Sequence, residues 1–412
     1  MRAMTCKFDP YTQVKTRLQA LTAVGHNTEK VNVRIIGGTW SFYPKGYQSW
    51  FVRRLFQACN TDKARDNSLV ELQRENERSK HRIVEISIET RQDYISLAEI
   101  RRLRMFGITK VELGVQSLDD EILKMNNRGN STIATIQATK LLKENGFKVS
   151  YQMMLNLLGG NQESDKRIFN ELFSEEQYKP DHLKIYPLAL LKKTGLYKYY
   201  RSGQFKPYSE TELVSLLSDI KEIVPSYCRI ERVIRDIPAQ YIVEGGAKIS
   251  NLRQVVELKM KNEDKSCKCI RCREIKSGFT PQNKAALRRI DYQASGGTEV
   301  FLSFESADNN KIYSFLRLRI NAKSAQVLSS LSNSALIREI HTYGPQVKIG
   351  QSDPGAAQHQ GFGKALIHEA ERIAKVEFGI PKIAVIAGVG VRPYFQNLGY
   401  ELEQTYMTKQ LS

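Results

Sequence analysis

Three cysteines lie close together in the stretch SCKCIRCRE, namely Cys267, Cys269 and Cys272, whereas the other three cysteines stand alone. Thiolates two and three residues apart can converge on one tetrahedral metal ion, while disulfides across such short loops would be strained. The spacing therefore predicts a metal site with three protein thiolates rather than disulfides, and it favours a reducing, cytoplasmic setting. The sequence does not indicate the fourth ligand.

A glycine-rich turn precedes an amphipathic stretch near the C-terminus and contains Gln358, Gly361, Phe362, Gly363 and Lys364. The first backbone amides of a helix have no partner within the helix, and glycines leave them open to a ligand. The turn could therefore cradle a phosphate, with the lysine adding positive charge. By itself the pattern also fits a plain tight turn, so its context has to decide.

A second group of polar residues and glycines stands at or just after the ends of predicted strands. If the strands are parallel, their carboxyl ends meet at one edge of the sheet, and these residues could line a common mouth. Each charge alone could equally be a solvated strand end, and the glycine pair a plain turn. The group comprises Gly37, Gly38, Thr39, Glu89, Arg91, Glu112, Gln116 and Lys184.

The elements that must hold these residues alternate along the chain. From Val31 to about Ile234, β-branched runs alternate with amphipathic stretches, which predicts an α/β fold with a parallel sheet, either open or a partial barrel. Ser96 and Ser117 are predicted to cap helices. After a basic, cysteine-rich stretch, a second α/β unit follows. The predicted domains are 1–261, a linker at 262–295 and 296–412.

Composition excludes several classes of protein. The chain has 412 residues, of which 41 % are hydrophobic and 26 % charged, which is typical of folded domains rather than of disorder. The longest apolar stretch, Ile383–Val391, is too short to cross a bilayer, and the N-terminus has no signal core, so we expect a protein that is neither membrane-spanning nor exported. A formal net charge of +18 suggests a polyanionic partner such as nucleic acid.

The C-terminal motifs resemble those of GNAT-type acetyltransferases, and the whole chain resembles one family, the catalytic subunit of Elongator with its stand-alone bacterial and archaeal relatives. In GNAT-type enzymes a strand, here ending in Arg338, Glu339, Ile340 and His341, precedes a pyrophosphate loop. The segments that carry the wider resemblance are MRA, DPYTQVKTRLQAL, GHNTEKV, IIGGTW, IETRQDY, VELGVQSLDDEIL, LKIYPL, RVIRDIP, NLRQ, CKCIRCREI, SFLRLR, IREIHTYG, QHQGFGKALIHEAERIAK and VRPYFQNLGYELEQTYM.

This resemblance implies a partial parallel (β/α) barrel of the radical SAM type joined to a GNAT-type α/β domain. It implies a tRNA-modifying acyltransferase that uses acetyl-CoA and S-adenosylmethionine (SAM) to form 5-carboxymethyluridine at the wobble position of tRNA. A SAM-derived radical would act on the acetyl methyl group. Partners implied are tRNA and acetyl-CoA, with a homo-oligomer or accessory Elongator-like subunits possible in such a family.

The resemblance also assigns site residues. The strand-end group would bind SAM, and the cysteine trio would bind zinc. Tyr394 would be the catalytic proton donor to the departing thiolate, although an aromatic packing role fits its sequence context equally well. Lys30, by itself an ordinary surface charge, would reach acetyl-CoA from the barrel. The acetyl-CoA residues are Lys30, Arg338, Glu339, Ile340, His341, Gln358, Gly361, Phe362, Gly363, Lys364 and Tyr394.

The chain departs from the family in three places. The cysteine trio for the iron-sulfur cluster lies upstream of the MRA segment, and this sequence has no substitute, which predicts an N-terminally truncated form. A [4Fe-4S] cluster generally needs at least three thiolates. Gln152 and Leu155 stand where relatives tend to have His and Pro, and Phe395 replaces a second tyrosine. A cluster-less member that binds tRNA and acetyl-CoA, or a protein lysine acetyltransferase, are therefore alternatives.

Overall fold

The structure is a computed structural model that describes residues 2–61, 67–235, 237–276, 285–344 and 361–411. Its first sheet has six parallel strands in chain order and curls into a half-barrel. The predicted fold class is thereby confirmed. The strands are β1 (Lys30–Ile35), β2 (Arg82–Thr90), β3 (Lys110–Gln116), β4 (Lys148–Leu155), β5 (His182–Pro187) and β6 (Arg229–Arg232).

Helices connect these strands and cover the outer face of the half-barrel. They are α1 (Arg2–Thr5), α2 (Pro10–Ala23), α3 (Lys45–Asn60), α4 (Leu69–Asn76), α5 (Leu97–Met105), α6 (Asp120–Met125), α7 (Thr132–Glu144), α8 (Gln162–Ser174), α9 (Leu196–Arg201), α10 (Glu210–Ile223), α11 (Leu252–Asn262) and α12 (Ile270–Arg273).

Two of the predicted helix caps have different outcomes. The Ser96 hydroxyl accepts a hydrogen bond from the Glu99 amide at 3.2 Å and caps α5, as predicted. Ser117 is not a cap, because the Asp119 carboxylate accepts the amides that open α6. The Ser117 hydroxyl instead accepts from the Asp119 amide, one step earlier. A carboxylate at this position also interacts favourably with the helix dipole.

Alternation along each strand separates an apolar outer face from a polar inner face. In β1, Val31, Val33 and Ile35 point toward the helices, whereas Asn32 and Arg34 are exposed on the other side. The outer residues of all six strands join the helices in one large hydrophobic core. The inner face of the half-barrel is therefore left to charged and polar side chains.

The second sheet is mixed and has seven strands in the order β12-β13-β11-β10-β9-β8-β7. Only β10 and β11 pair in parallel among its described strands. Its elements are β7 (Ala286–Gln293), β8 (Gly297–Glu305), β9 (Ile312–Asn321), β10 (Ser334–Thr342), α13 (Phe362–Arg372), β11 (Lys382–Val385), α14 (Arg392–Gln396), β12 (Glu401–Glu403) and β13 (Tyr406–Gln410).

The second sheet begins inside the stretch predicted to be a linker. Strand β7 is an edge strand whose residues are mostly exposed, including Arg288, Arg289 and Asp291. Such a strand lacks the apolar alternation by which strands are predicted from sequence. The cysteine-rich stretch before it holds the short helix α12.

The half-barrel and the second sheet share a close interface. The turn Gly388–Val391 lies against the start of β2, where a methyl group on Gly388 would come within 2.0 Å of the Val84 carbonyl oxygen. Farther along, Arg392 forms an ion pair with Glu77 at 3.1 Å. This interface joins the N-terminal ends of the barrel strands to the second domain.

Within the described ranges, no helix is both long and apolar enough to cross a bilayer.

Candidate active site

Strands β2, β3 and β5 bring together three members of the predicted group, Glu89, Glu112 and Lys184. Glu89 lies near the carboxyl end of β2 as predicted, whereas Glu112 and Lys184 are the third residues of β3 and β5 and so lie inside their strands. The Lys184 ammonium contacts the Glu112 carboxylate directly and lies 3.5 Å from Glu89. Gln152, noted above as a departure from the family, donates to Glu89 at 3.0 Å and to Glu112 at 3.4 Å. Its amide thus links the two carboxylates at the mouth of the half-barrel.

Glu112 is the most deeply buried carboxylate at this mouth, with 1 % of its surface exposed. Burial raises its pKa, but the ammonium groups of Lys110 and Lys184 outweigh burial and hold the pKa below its ordinary value. Arg34 adds a further ion pair at 2.8 Å. The carboxylate is therefore ionised at neutral pH and gives the mouth a fixed pattern of charge.

The other predicted mouth residues occupy the rim. Gly37 and Gly38 follow β1 with φ of 127° and 129°, and open space lies where a side chain would stand. Both glycines are exposed, so their backbone is open to a ligand. Arg91 turns outward to Asp93 at 2.7 Å and to the Gly129 carbonyl at 2.9 Å.

Thr39 and Gln116 complete the predicted group. Thr39 directly follows the glycine pair and is half-buried beside the start of the next turn. Gln116 ends β3 in a left-handed conformation with φ of 72° and is buried. The glycine pair, Thr39 and Gln116 therefore lie at the carboxyl ends of β1 and β3, two parallel strands that β2 separates.

Deeper in the half-barrel lies a charged cluster that the sequence reading missed. The Glu231 carboxylate contacts the Lys110 ammonium and lies 3.0 Å from the Nδ1 of His182. The Arg34 guanidinium lies 3.6 Å from the same carboxylate. Burial raises the pKa of Glu231, but Lys110 and His182 hold it well below its ordinary value. The signal was present in the sequence, because charged residues two apart, such as Lys110 and Glu112, interrupt strands that are otherwise apolar.

The cluster continues into the second domain through Glu339. Its carboxylate lies 3.4 Å from the Nε2 of His182, 2.9 Å from Arg317 and 3.9 Å from Lys148. Lys148 in turn contacts Glu85. A continuous series of ion pairs thus runs from the mouth of the half-barrel to strand β10. The side chain of Glu339 is engaged in these ion pairs.

Arg338 is also part of the domain interface. Its guanidinium binds Asp181 at 2.5 Å and Glu299 at 2.9 Å, and its side chain is completely buried. Arg338 and Glu339 were both predicted to bind acetyl-CoA. Since both side chains are engaged in ion pairs, only their backbone could take part in binding a cofactor.

Strands β10 and β11 separate at the place where the cofactor was predicted. Their pairing covers Ser334–Ile337 of β10 and ends with Val385 of β11. Beyond it, Glu339–Thr342 continue alongside β9, with no described strand on their other edge. This free edge consists of the backbone of Glu339, Ile340 and His341, which were predicted to bind acetyl-CoA. An extended ligand could form hydrogen bonds with it as a further strand would.

Helix α13 starts beside this edge. Gly361 opens the helix with φ of 76°, and among the described residues no side chain caps the helix and nothing stands within 4 Å of where a methyl group on the glycine would lie. The first amides of the helix are therefore available to an anion. Phe362 stacks on Phe304 with ring centroids 4.7 Å apart, which anchors the turn, and Lys364 is exposed. Gln358 lies outside the described residues.

Tyr394 completes this second site. A methyl group on Gly363 would lie 3.3 Å from the Tyr394 hydroxyl, 3.8 Å from the Thr342 hydroxyl and 3.9 Å from the Ile340 side chain. The hydroxyl has no hydrogen-bond partner among the described residues, and burial raises the pKa of Tyr394. It therefore stays protonated at neutral pH and is free to donate.

Lys30 and His341 each have an exposed part, and neighbouring protein partly shields their charged groups from water. Partial desolvation lowers the pKa of the Lys30 ammonium, and desolvation lowers the pKa of His341 to about 4. Lys30 opens β1 next to Arg82, which the turn at Gly390 contacts. The structure thus puts Lys30 at the amino ends of the barrel strands, near the interface with the second domain.

The three clustered thiols meet the geometry of a metal site. The sulfur atoms of Cys267, Cys269 and Cys272 all lie within 4.8 Å of one another. Hydrogen bonds from its two neighbours hold the pKa of Cys269 well below its ordinary value. Zinc–sulfur bonds of about 2.3 Å in a tetrahedron suit such spacing. Of the described residues, no other three cysteines come together.

Comparison with known proteins identifies relatives along the whole chain. Residues 10–172 match the Radical SAM superfamily, and residues 180–262 match the Radical SAM C-terminal domain. A protein named tRNA uridine(34) acetyltransferase from Methanocaldococcus infernus is 44 % identical over 418 residues, covering all of this chain and 78 % of that protein. A protein of the same name from Dehalococcoides mccartyi is 42 % identical and covered to 90 %.

Human and archaeal proteins extend the comparison. Elongator complex protein 3 from Homo sapiens is 38 % identical over 416 residues, covering all of this chain and 75 % of that protein. A solved structure of Methanocaldococcus infernus Elp3, with residues 1–46 deleted, superimposes with a TM-score of 0.92 at 42 % identity. The superposition covers 99 % of this chain and 97 % of the archaeal chain.

Proposed function

The chain belongs to the family of tRNA uridine(34) acetyltransferases and Elongator complex protein 3, and from this premise we propose that it is a tRNA-modifying acyltransferase acting on the wobble uridine. Acetyl-CoA is the proposed source of the transferred carbon unit, and 5-carboxymethyluridine is the proposed product. The observation that supports acetyl-CoA best is the meeting of the uncapped start of α13, the free edge of β10 and Tyr394.

Each part of this second site has a chemical task in the proposal. The amides at the start of α13, opened by Gly361 and Gly363, bind the pyrophosphate, and Lys364 adds charge. The backbone from Glu339 to His341 pairs with the extended arm of the cofactor. Tyr394 donates its proton to the thiolate that leaves when the thioester breaks.

The mouth of the half-barrel is the proposed site for SAM. The exposed backbone of Gly37 and Gly38 would receive the amino group of SAM, and Glu89, Glu112 and Lys184 supply the charged wall beside it. When bound, SAM supplies the reactive group that the radical SAM superfamily uses. The residues of this chain bind and orient it, and the ion pair between Glu112 and Lys184 keeps that wall rigid.

A structural zinc ion is proposed for Cys267, Cys269 and Cys272. The trio follows α11 and precedes the second sheet, so a metal there would brace the connection between the two domains. Cys228 is buried nearby, and its carbonyl accepts the Ile270 amide at 3.0 Å, which ties the cysteine stretch to the last barrel strand.

The test is the release of free CoA from acetyl-CoA, with and without tRNA. We expect tRNA to stimulate release, and we expect Tyr394→Phe to lower it by 10-fold or more, since general acid catalysis contributes roughly 10²- to 10⁴-fold. Tyr241→Phe is the matched control, because Tyr241 is exposed and distant in sequence from both sites.

Two results would refute the proposal. If tRNA leaves the rate unchanged and protein lysines are acetylated instead, the chain is a protein acetyltransferase. If Tyr394→Phe hydrolyses acetyl-CoA as fast as the wild type, the proton donor has been misassigned.

A further inference from the structure

Four aromatic side chains are exposed just after the first barrel strand. Phe42 has 71 % of its surface exposed, Tyr43 40 %, Tyr47 39 % and Trp50 41 %. Tyr47 lies between its neighbours, with ring centroids 5.3 Å from Tyr43 and 5.5 Å from Trp50. These four residues are called the aromatic rim here. Clusters of exposed aromatic rings are uncommon on soluble proteins unless they bind something.

The aromatic rim stands at the mouth of the half-barrel. It follows the glycine pair at the carboxyl end of β1, and its first ring packs edge-on against Tyr94, which follows β2. The ring centroids of Phe42 and Tyr94 are 6.4 Å apart. The rim therefore spans the carboxyl ends of two adjacent strands, beside the proposed SAM site.

The backbone beneath the aromatic rim is firmly held. Trp40 is buried, and the buried amide of Gln48 donates to the carbonyls of Trp40 at 3.3 Å and Tyr43 at 2.8 Å. The Ser41 hydroxyl donates to the buried carboxylate of Glu99 at 2.8 Å. The rings are thus presented in a fixed arrangement, which lowers the entropy lost when a ligand stacks on them.

The charge of this segment favours an anionic partner. Residues 35–52, which carry the rim, contain one Lys and no Asp or Glu, although acidic residues are frequent elsewhere in the chain. Lys45 is exposed between the rings of the rim. Flat apolar rings combined with positive charge are the recognised features of sites for single-stranded nucleic acid.

We propose that the aromatic rim stacks unpaired bases of a single-stranded RNA loop, next to the base that enters the mouth. This inference rests on the proposed function, because a wobble uridine lies in such a loop. A base that enters the mouth must leave its own stack, and its neighbours lose stacking partners. The rings of the rim replace those partners, and Lys45 meets a phosphate between them.

The natural tryptophans provide a direct readout. The chain has two, of which Trp40 is buried and Trp50 belongs to the rim. A base stacked on Trp50 quenches its fluorescence. We expect a short single-stranded oligouridylate to quench the emission of the full-length chain, and an RNA duplex of equal charge to leave it nearly unchanged.

The variants separate stacking from charge. Tyr47→Ala combined with Trp50→Ala is expected to weaken oligouridylate binding roughly 5- to 100-fold, measured by fluorescence anisotropy, without changing the salt dependence. Lys45→Ala is expected to reduce the slope of that salt dependence by about one. Tyr47→Phe keeps the ring and should bind normally. Tyr199→Ala, 43 % exposed on α9, is the matched control.

Some outcomes would overturn the inference. Stacking would be excluded if the double variant binds oligouridylate as tightly as the wild type and oligouridylate does not quench Trp50 in the wild type. If the wild type is a dimer that dissociates in the double variant, the rim is a contact between copies of the chain. If tRNA fails to stimulate CoA release but oligouridylate still quenches Trp50, the proposed function is refuted and base stacking on the rim is upheld. If tRNA stimulates release equally in the wild type and the double variant, the rim fails and the function stands.

Discussion

Replacing Gly388 by alanine is expected to loosen the interface between the two domains. Gly388 has φ of −65° and ψ of 153°, a conformation that alanine adopts without strain. The added methyl group would lie 2.0 Å from the Val84 carbonyl oxygen and 2.5 Å from its carbonyl carbon. Side-chain carbons essentially never approach closer than 3.0 Å, so the turn and β2 must move apart by about 1 Å. The whole effect therefore comes from the interface.

The size of the effect follows from packing. Overpacking costs about 1–3 kcal/mol, and here both contacts are backbone, which cannot rotate away. With a Tm shift of about 2–4 °C per kcal/mol for large domains, we expect Tm to fall by about 2–12 °C. The assay is thermal unfolding by circular dichroism. Gly195→Ala is the control, since φ of −57° and open space predict almost no change.

A functional readout accompanies the thermal one. The Gly388 turn leads into α14, which carries Tyr394, so a displaced turn should also reduce tRNA-stimulated CoA release. If Gly388→Ala melts at the wild-type temperature and releases CoA normally, the turn does not lie against β2 and the reasoning is refuted.

Three further predictions concern the acetyl-CoA site, the cysteine trio and Asp165, a buried carboxylate on α8. Gly363→Val should weaken acetyl-CoA binding at least 10-fold by calorimetry, because its side chain would crowd the Tyr394 hydroxyl; unchanged affinity in a folded variant would contradict this placement. Cys269→Ser should lose bound zinc in metal analysis, and a full complement would exclude the thiol as a ligand. Burial raises the pKa of Asp165 to about 6, so protonation favours the folded state. The contribution of Asp165 to the free energy of unfolding is greatest below about pH 4. It falls by on the order of 2–3 kcal/mol as the pH rises through 6. Urea unfolding of Asp165→Asn should show a smaller decline across this range, and an unchanged profile would count against it.

Local patterns were enough to predict much of the fold. The β-branched run of β1 and the Ser96 cap of α5 depend on residues a few positions apart, and the strand and the cap are both found, although β1 alternates between half-buried and exposed residues and is not the buried strand that the run predicted. The close spacing of Cys267 to Cys272 likewise indicated a cluster, and the three sulfur atoms do converge. Such features are readable because neighbours in sequence are neighbours in space.

Contacts between distant residues could not be predicted in this way. His182 meets Glu339 across 157 positions, and Lys110 meets Glu231 across 121. Nothing near Arg338 in sequence indicates that its partner is Asp181. Its position in a GNAT-like motif instead suggested a cofactor ligand. Strand β7 was missed for the opposite reason, because an exposed edge strand carries no apolar pattern.

The ion pair between Asp181 and Arg338 has a consequence for how the chain is made. Asp181 leaves the ribosome 157 residues before its partner, which at about 5–20 residues per second is a delay of roughly 8–30 s. During that interval Asp181 lacks the guanidinium groups of Arg338 and Arg317, although the Lys143 ammonium of the half-barrel is already near it. Burying a charge without its full set of partners is costly. The nascent half-barrel therefore cannot close this end until the second domain is synthesised. For the same reason, a gene cut between the two domains would yield two fragments that each lack part of their own interior.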